Sequence, residues 1–171
     1  MGVFWLAVDK DCSSYLELKY RMIVAQGWSR LKNLVSLQPF YPNHEDLFKQ
    51  NIKALGDIGY KNKEWFHRDN CGEVMWNLIK LKKGDLVIAL EGRTVKGICE
   101  MPSDGIESYR FDEGFEYANT VGFGVKWVDW SENTFGFTPN PKAIPFGIER
   151  VVNDKERVIE AWKAYQNPQF A

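Results

Sequence analysis

A tryptophan followed by small polar and basic side chains lies in residues 25–31 (AQGWSRL) and the residue after them. Trp28 can stack on a base, which contributes about 1–3 kcal/mol, while basic side chains hold the adjoining phosphates. The pattern favours a nucleic-acid site in which Trp28 stacks on a base and Ser29 offers a small hydrogen-bonding group beside the ring. Arg30 and Lys32 would then bind phosphate. The alternative is that Trp28 is a core residue with solvated charges beside it.

Three further aromatic residues border a polar loop in the second half of the chain: Tyr109, Phe111 and Tyr117. Tyr109 and Phe111 are two residues apart, so their side chains point the same way from a strand. These rings are candidates for a second wall of the same base-binding pocket. The alternative is that they belong to the hydrophobic core.

Few residues or motifs in the sequence indicate catalysis or metal binding. The chain has two histidines and no C-x-x-C pair, so no metal site is predicted. It lacks the glycine-rich phosphate loops and the G-x-S-x-G nucleophile motif. The acidic residues Asp112, Glu113 and Glu116 are most simply a solvated face. We therefore expect a non-catalytic protein without a cofactor.

Composition limits the partners. The formal net charge is −1, so a polyanion would have to be bound through a local basic patch. The surplus of rings, with seven Trp, seven Tyr and eleven Phe, leaves material for a stacking surface beyond the core. Three cysteines, Cys12, Cys71 and Cys99, leave one over under any pairing, which favours reduced thiols in the cytoplasm. No long apolar run or signal peptide is found, so no membrane association is expected.

The elements that would position these residues centre on residues 82–130. The length of 171 residues predicts a single domain, residues 1–171. Helices are predicted from an N-cap at Asn43 to Gly56, from an N-cap at Asn70 to Leu81, and from Asn153 to Pro168. The alternation of side chains that is typical of a strand returns at residues 109–111. Short strands are predicted at residues 3–8, 20–25, 85–91, 94–101, 125–130 and 148–152. This mixture predicts an α+β domain whose sheet curls into a barrel.

The ordered combination of GDLVIALEG, TVKGICEM and GFGVKWVDW, with AQGWSRL upstream, resembles EVE domains of the PUA-like superfamily. The upstream segment is like that of the N-terminal specificity domains of McrB-like, modification-dependent restriction proteins. It is also similar to the G-x-W-S/T piece of YTH domains, which read N6-methyladenine in RNA. The resemblance covers most of residues 3–130.

The resemblance implies a PUA-like curved sheet forming a pseudo-barrel of about six strands flanked by about three helices. It also implies a module that takes one flipped, methylated base into an aromatic cage. Trp28 would be the first wall and Ser29 a hydrogen-bonding neighbour. The second wall of YTH relatives lies in the loop that here spans residues 102–118. That loop contains no Trp, so Tyr109, Phe111 or Tyr117 would have to replace it.

The role implied is that of a specificity domain for modified DNA in a restriction system, with an AAA+ motor or nuclease as partner. The motor motifs of McrB are missing, so an excised specificity domain or a stand-alone reader is expected. Two alternatives remain open: a reader of modified RNA, and a small-molecule-binding or enzymatic domain.

Overall fold

Two β-sheets with surrounding helices form the protein in the computed structural model. It describes residues 1–9, 14–60, 65–141, 144 and 147–167, with the backbone alone for 65–69. The strands are β1 (Val3–Val8), β2 (Val24–Gln26), β3 (Leu86–Glu91), β4 (Thr94–Glu100), β5 (Arg110–Phe111), β6 (Asn119–Val121), β7 (Val128–Asp129) and β8 (Ile148–Arg150). The α-helices are α1 (Tyr15–Arg21), α2 (Glu45–Gly59), α3 (Trp65–Ile79), α4 (Gly105–Ser108), α5 (Glu132–Phe135) and α6 (Lys155–Gln166). Short 3-10 helices span Ser29–Leu31 and Val35–Phe40. The predicted α+β class is confirmed.

The larger sheet, called the large sheet below, has the strand order β7-β4-β3-β1-β8. β1 runs parallel to β3, and the other pairs are antiparallel. The turn between β3 and β4 has Gly92 at φ 63°, a conformation that glycine adopts readily and that hairpin turns favour. The predicted strands at residues 85–91 and 94–101 are therefore confirmed as a hairpin, and a strand near residue 148 is confirmed at the edge of the large sheet.

Two hydrophobic cores lie on opposite faces of the large sheet, because successive residues of β1 point to opposite sides. Phe4, Leu6 and Val8 join the core that also contains much of α3. The residues between them, Val3, Trp5 and Ala7, join a second core with α6. This double burial explains why β1 is apolar throughout rather than alternating.

The smaller sheet, called the small sheet below, has the order β2-β6-β5 and is antiparallel. Asn119 in its central strand lies between Gln26 and Phe111. Each sheet ends in edge strands that are not joined to one another, so the predicted closure into a barrel is not seen in the described residues.

Several predicted boundaries were wrong. Residues 20–25 do not form one strand. Residues 20 and 21 end helix α1, Met22 caps that helix at φ 55°, and strand β2 begins at Val24. Helix α2 continues past Gly56 to Gly59, and α3 begins at Trp65 rather than near Asn70. Helix α6 begins after Asp154, and its predicted end at Pro168 falls outside the described residues. Within the described chain, no helix is long and apolar enough to cross a membrane.

Candidate nucleic-acid interface

Residues 27–34 (GWSRLKNL), called the tryptophan segment below, connect β2 to the helices that follow. Leu31 and Leu34 are buried and anchor the segment to the core. Ser29, Arg30 and Lys32 are exposed. A single 3-10 turn produces this division, with the Leu31 amide donating to the Trp28 carbonyl at 3.0 Å. The turn therefore directs the polar and basic side chains outward from a fixed apolar base.

The backbone of the tryptophan segment is strained at both ends of its turn. Trp28 adopts φ 59° and ψ 42°, and Lys32 adopts φ 62° and ψ −165°. Among the described residues only two other non-glycine residues, Met22 and Asp154, have positive φ. The first conformation is left-handed and the second is one that glycine almost alone adopts, so each costs on the order of 1–3 kcal/mol. Such conformations persist only where the surroundings impose them.

A chain of hydrogen bonds imposes the geometry. The Leu34 amide donates to the Tyr109 hydroxyl at 3.2 Å, and that hydroxyl donates to Asn119 Oδ1 at 2.8 Å. Asn119 Nδ2 in turn donates to the Gly27 carbonyl at 2.5 Å. Both ends of the segment are thus tied to one buried side chain, since Asn119 is 0% exposed. Burial raises the pKa of Tyr109 to about 12, so its hydroxyl keeps the proton that it donates.

Asn119 was not predicted as a site residue. Its partners lie 10 and 92 positions away in the chain, at Tyr109 and Gly27. The signal in the sequence is a single asparagine followed by Thr120 and Val121, which does not identify such distant partners. Tyr109, predicted as a cage wall, is buried. Its hydroxyl accepts a hydrogen bond from the Leu34 amide and donates one to Asn119.

The predicted aromatic residues are placed differently from one another. Trp28 is 7% exposed and packs with the core. Tyr117 is half-buried next to Gly27, where a Cβ added to the glycine would lie 3.7 Å from the Tyr117 ring. Its hydroxyl accepts a hydrogen bond from the Asp9 amide at 2.8 Å. Trp28 and Tyr117 therefore flank Gly27, and Tyr109 is connected to it through Asn119.

Phe111 lies apart from this group. It lines an open hollow of about 420 Å³, called the outer hollow below. The other residues that line it are Arg21, Ile23, Arg110, Asp112, Glu113, Thr120 and Phe123. Phe111 therefore contributes to a second surface rather than to the walls around Gly27.

The predicted phosphate ligands are exposed cations. The Arg30 guanidinium carbon lies 5.3 Å from the centre of the Tyr60 ring, which holds it against α2. No carboxylate lies within 4 Å of either Arg30 or Lys32 in the described part of the chain. Both cations are therefore available to an anion beside the tryptophan segment.

Nucleophilic and metal chemistry have little support among the described residues. Burial raises the pKa of the Cys71 thiol to about 11, and it raises that of Cys99 as well. Both thiols are thus protonated at neutral pH and weakly nucleophilic. No group of three His, Cys, Asp or Glu side chains is placed to hold a metal ion in this part of the structure. Cys12 lies outside the described residues.

Comparison of the chain with protein-family models, with curated proteins and with solved structures found no match. The functional interpretation therefore depends on the geometry of the tryptophan segment and on the sequence patterns that led to it.

Proposed function

We propose that this chain is a nucleic-acid-binding module of the PUA-like, EVE-type class that reads a methylated base. The observation that carries the proposal is the strained tryptophan segment, fixed at both ends by Asn119 and Tyr109. Backbone strain of this kind accumulates at ligand-binding sites, where it pre-organises the groups that bind. Here it holds an aromatic ring next to three outward polar side chains.

The base would bind beside Trp28, which is 7% exposed, and the half-buried ring of Tyr117. These rings flank Gly27, which has no side chain to fill the space between them. Extruding a base from a duplex costs a few kcal/mol, which stacking and hydrogen bonds can offset. A methyl group adds apolar contact with the rings, so a modified base gains more than a plain one.

The phosphates next to that base would bind Arg30 and Lys32, while the Ser29 hydroxyl would form a hydrogen bond with the base itself. Because the protein carries a net charge of −1, its affinity would come from few phosphate contacts. A shallow dependence of affinity on salt concentration follows. The expected setting is a modification-dependent restriction system in which an AAA+ motor or nuclease acts as effector.

The decisive experiment measures fluorescence polarisation with DNA duplexes that differ only by one N6-methyladenine or one 5-methylcytosine. The intact protein should bind one modified duplex about tenfold more tightly than its plain counterpart, which is within the range of one stacked base. Trp28→Ala should abolish this preference. Trp130→Ala is the matched control, because Trp130 stacks on Phe135 at 4.3 Å and, although only partly buried, packs against the other core.

Equal binding of modified and plain duplexes by the intact protein would refute the proposal. Two further arms separate the alternatives. Stronger binding of RNA that carries the same modified base would favour an RNA reader. Tight binding of the free modified nucleoside would favour a small-molecule site.

A further inference from the structure

A turn at the outer hollow exposes the aromatic side chain of Phe123. Gly122 and Gly124 flank Phe123 and adopt φ 66° and 81°. The Gly124 amide donates to the Met22 carbonyl at 3.0 Å, which ties the turn to the end of α1. Phe123 is left 43% exposed. Because the backbone of the turn is already fixed, less ordering is needed when a ligand stacks on this ring.

The hollow also offers one uncompensated cation. The Arg110 guanidinium carbon lies 4.7 Å from the centre of the Phe123 ring, and no carboxylate lies within 4 Å of Arg110 among the described residues. Arg21 differs, since it pairs with Glu17 at 3.0 Å and Asp112 at 3.4 Å. With Asp112 and Glu113 on its rim, the hollow suits one phosphate rather than a run of them.

A line of contacts connects the outer hollow to the tryptophan segment. The Arg21 guanidinium carbon lies 4.2 Å from the centre of the Phe115 ring. The ring centres of Phe115 and Tyr117 are 6.2 Å apart, and Tyr117 packs beside Gly27. Phe115 is buried in the core, so these contacts establish that the two places are close together and do not form a continuous binding surface. The hollow is thus within a few nucleotides of the proposed base site.

We propose that the outer hollow binds the nucleic-acid strand that flanks the base read at the tryptophan segment. This inference rests on the proposed function. Phe123 stacks on a flanking base, and Arg110 binds the phosphate attached to it. A volume of about 420 Å³ lies in the range of pockets that hold ligands of nucleotide size.

The test compares two single-stranded DNA lengths by calorimetry: an oligonucleotide of about nine nucleotides, within the site size of one small nucleic-acid-binding domain, and the central trinucleotide. Each is made with N6-methyladenine, with 5-methylcytosine or with the plain base at the centre. Phe123→Ala should weaken binding of the longer DNA about tenfold and leave the trinucleotide unchanged. Arg110→Gln should reduce the slope of log affinity against log salt by about one. Phe123→Tyr, which keeps a ring, should bind like the intact protein.

Matched controls come from the side of α6, where Phe135, Phe137 and Arg157 line a second open hollow and the Tyr165 ring packs 5.4 Å from that of Phe135. Tyr165 is 42% exposed, and Arg157 lies 4.2 Å from the centre of the Phe137 ring but is paired with Asp154 at 3.8 Å. Tyr165→Ala and Arg157→Gln should leave both affinities unchanged. Thermal unfolding of each variant verifies that it is folded.

The outcomes separate the two proposals. Should the intact protein prefer modified DNA while Phe123→Ala and Arg110→Gln bind the longer DNA like the controls, the outer hollow has no part in binding. An equal loss for both DNA lengths would also overturn the inference, because it would indicate damage to the base site. Absence of any preference in the intact protein refutes the proposed function itself, whatever the variants do.

Discussion

Different kinds of interaction stabilise the large sheet and the small sheet. The large sheet has a core on each face, and the side chains of β1 are buried at every position. The small sheet is short, and it carries a buried network of Asn119 and Tyr109 next to a strained connection. Added volume in apolar packing lowers stability, whereas a polar network specifies one geometry at some cost in stability. We infer that the large sheet provides stability and the small sheet provides the binding geometry.

The largest effect on stability is expected at Gly97 in the large sheet. A Cβ at this position would lie 2.2 Å from the Tyr15 hydroxyl, so Gly97→Ala must displace that side chain from Trp127 and Asp129. We expect a loss of about 3 kcal/mol in the free energy of unfolding, measured by chemical denaturation. Gly114→Ala, in an exposed loop with only an ordinary contact at 3.4 Å, should change stability by less than about 0.5 kcal/mol.

A double-mutant cycle tests the cause of that loss. In a Tyr15→Leu background the hydroxyl is gone, so Gly97→Ala should cost much less than it does alone. An unchanged cost would show that the glycine is required for another reason.

How well the sequence predicts the large sheet and the tryptophan segment depends on how far apart in the chain their contacting residues are. β1 and the β3–β4 hairpin are recognisable because their apolar runs and the turn at Gly92 are local patterns. Helix α1 was missed because it has only seven residues and its polar end runs directly into the apolar residues of β2. The tryptophan segment was found from its local composition. The hydrogen bonds of Asn119 were not, since they join residues 10 and 92 positions apart and depend on the tertiary fold.

A second prediction contrasts two buried tyrosine hydroxyls, one for each region. Tyr109→Phe leaves the Leu34 amide and Asn119 Oδ1 without their partner, which should cost about 2 kcal/mol of unfolding free energy. Because the tryptophan segment loses one of its ties, the preference for modified DNA should also fall. Fluorescence polarisation and chemical denaturation on the same samples measure both effects.

Tyr15→Phe is the control for this prediction. The Tyr15 hydroxyl donates to Asp129 at 2.7 Å, at the edge of the large sheet and away from the tryptophan segment. It should lower stability and leave the preference for modified DNA intact. If both variants reduced the preference in proportion to their loss of stability, the small sheet would have no special role in binding geometry.

The smallest expected effect tests whether strain in the tryptophan segment is stored for binding. Lys32 adopts a conformation that favours glycine, so Lys32→Gly should be about 1 kcal/mol more stable to denaturation than Lys32→Ala. The order should reverse at Lys126, an exposed lysine without positive φ, where glycine should be less stable than alanine. Both Lys32 variants lose the same cation, so they should weaken DNA binding equally if charge alone matters. A weaker affinity for Lys32→Gly than for Lys32→Ala would show that the strained backbone itself pre-organises the site, whereas equal stability of the two would remove the evidence for strain at this position.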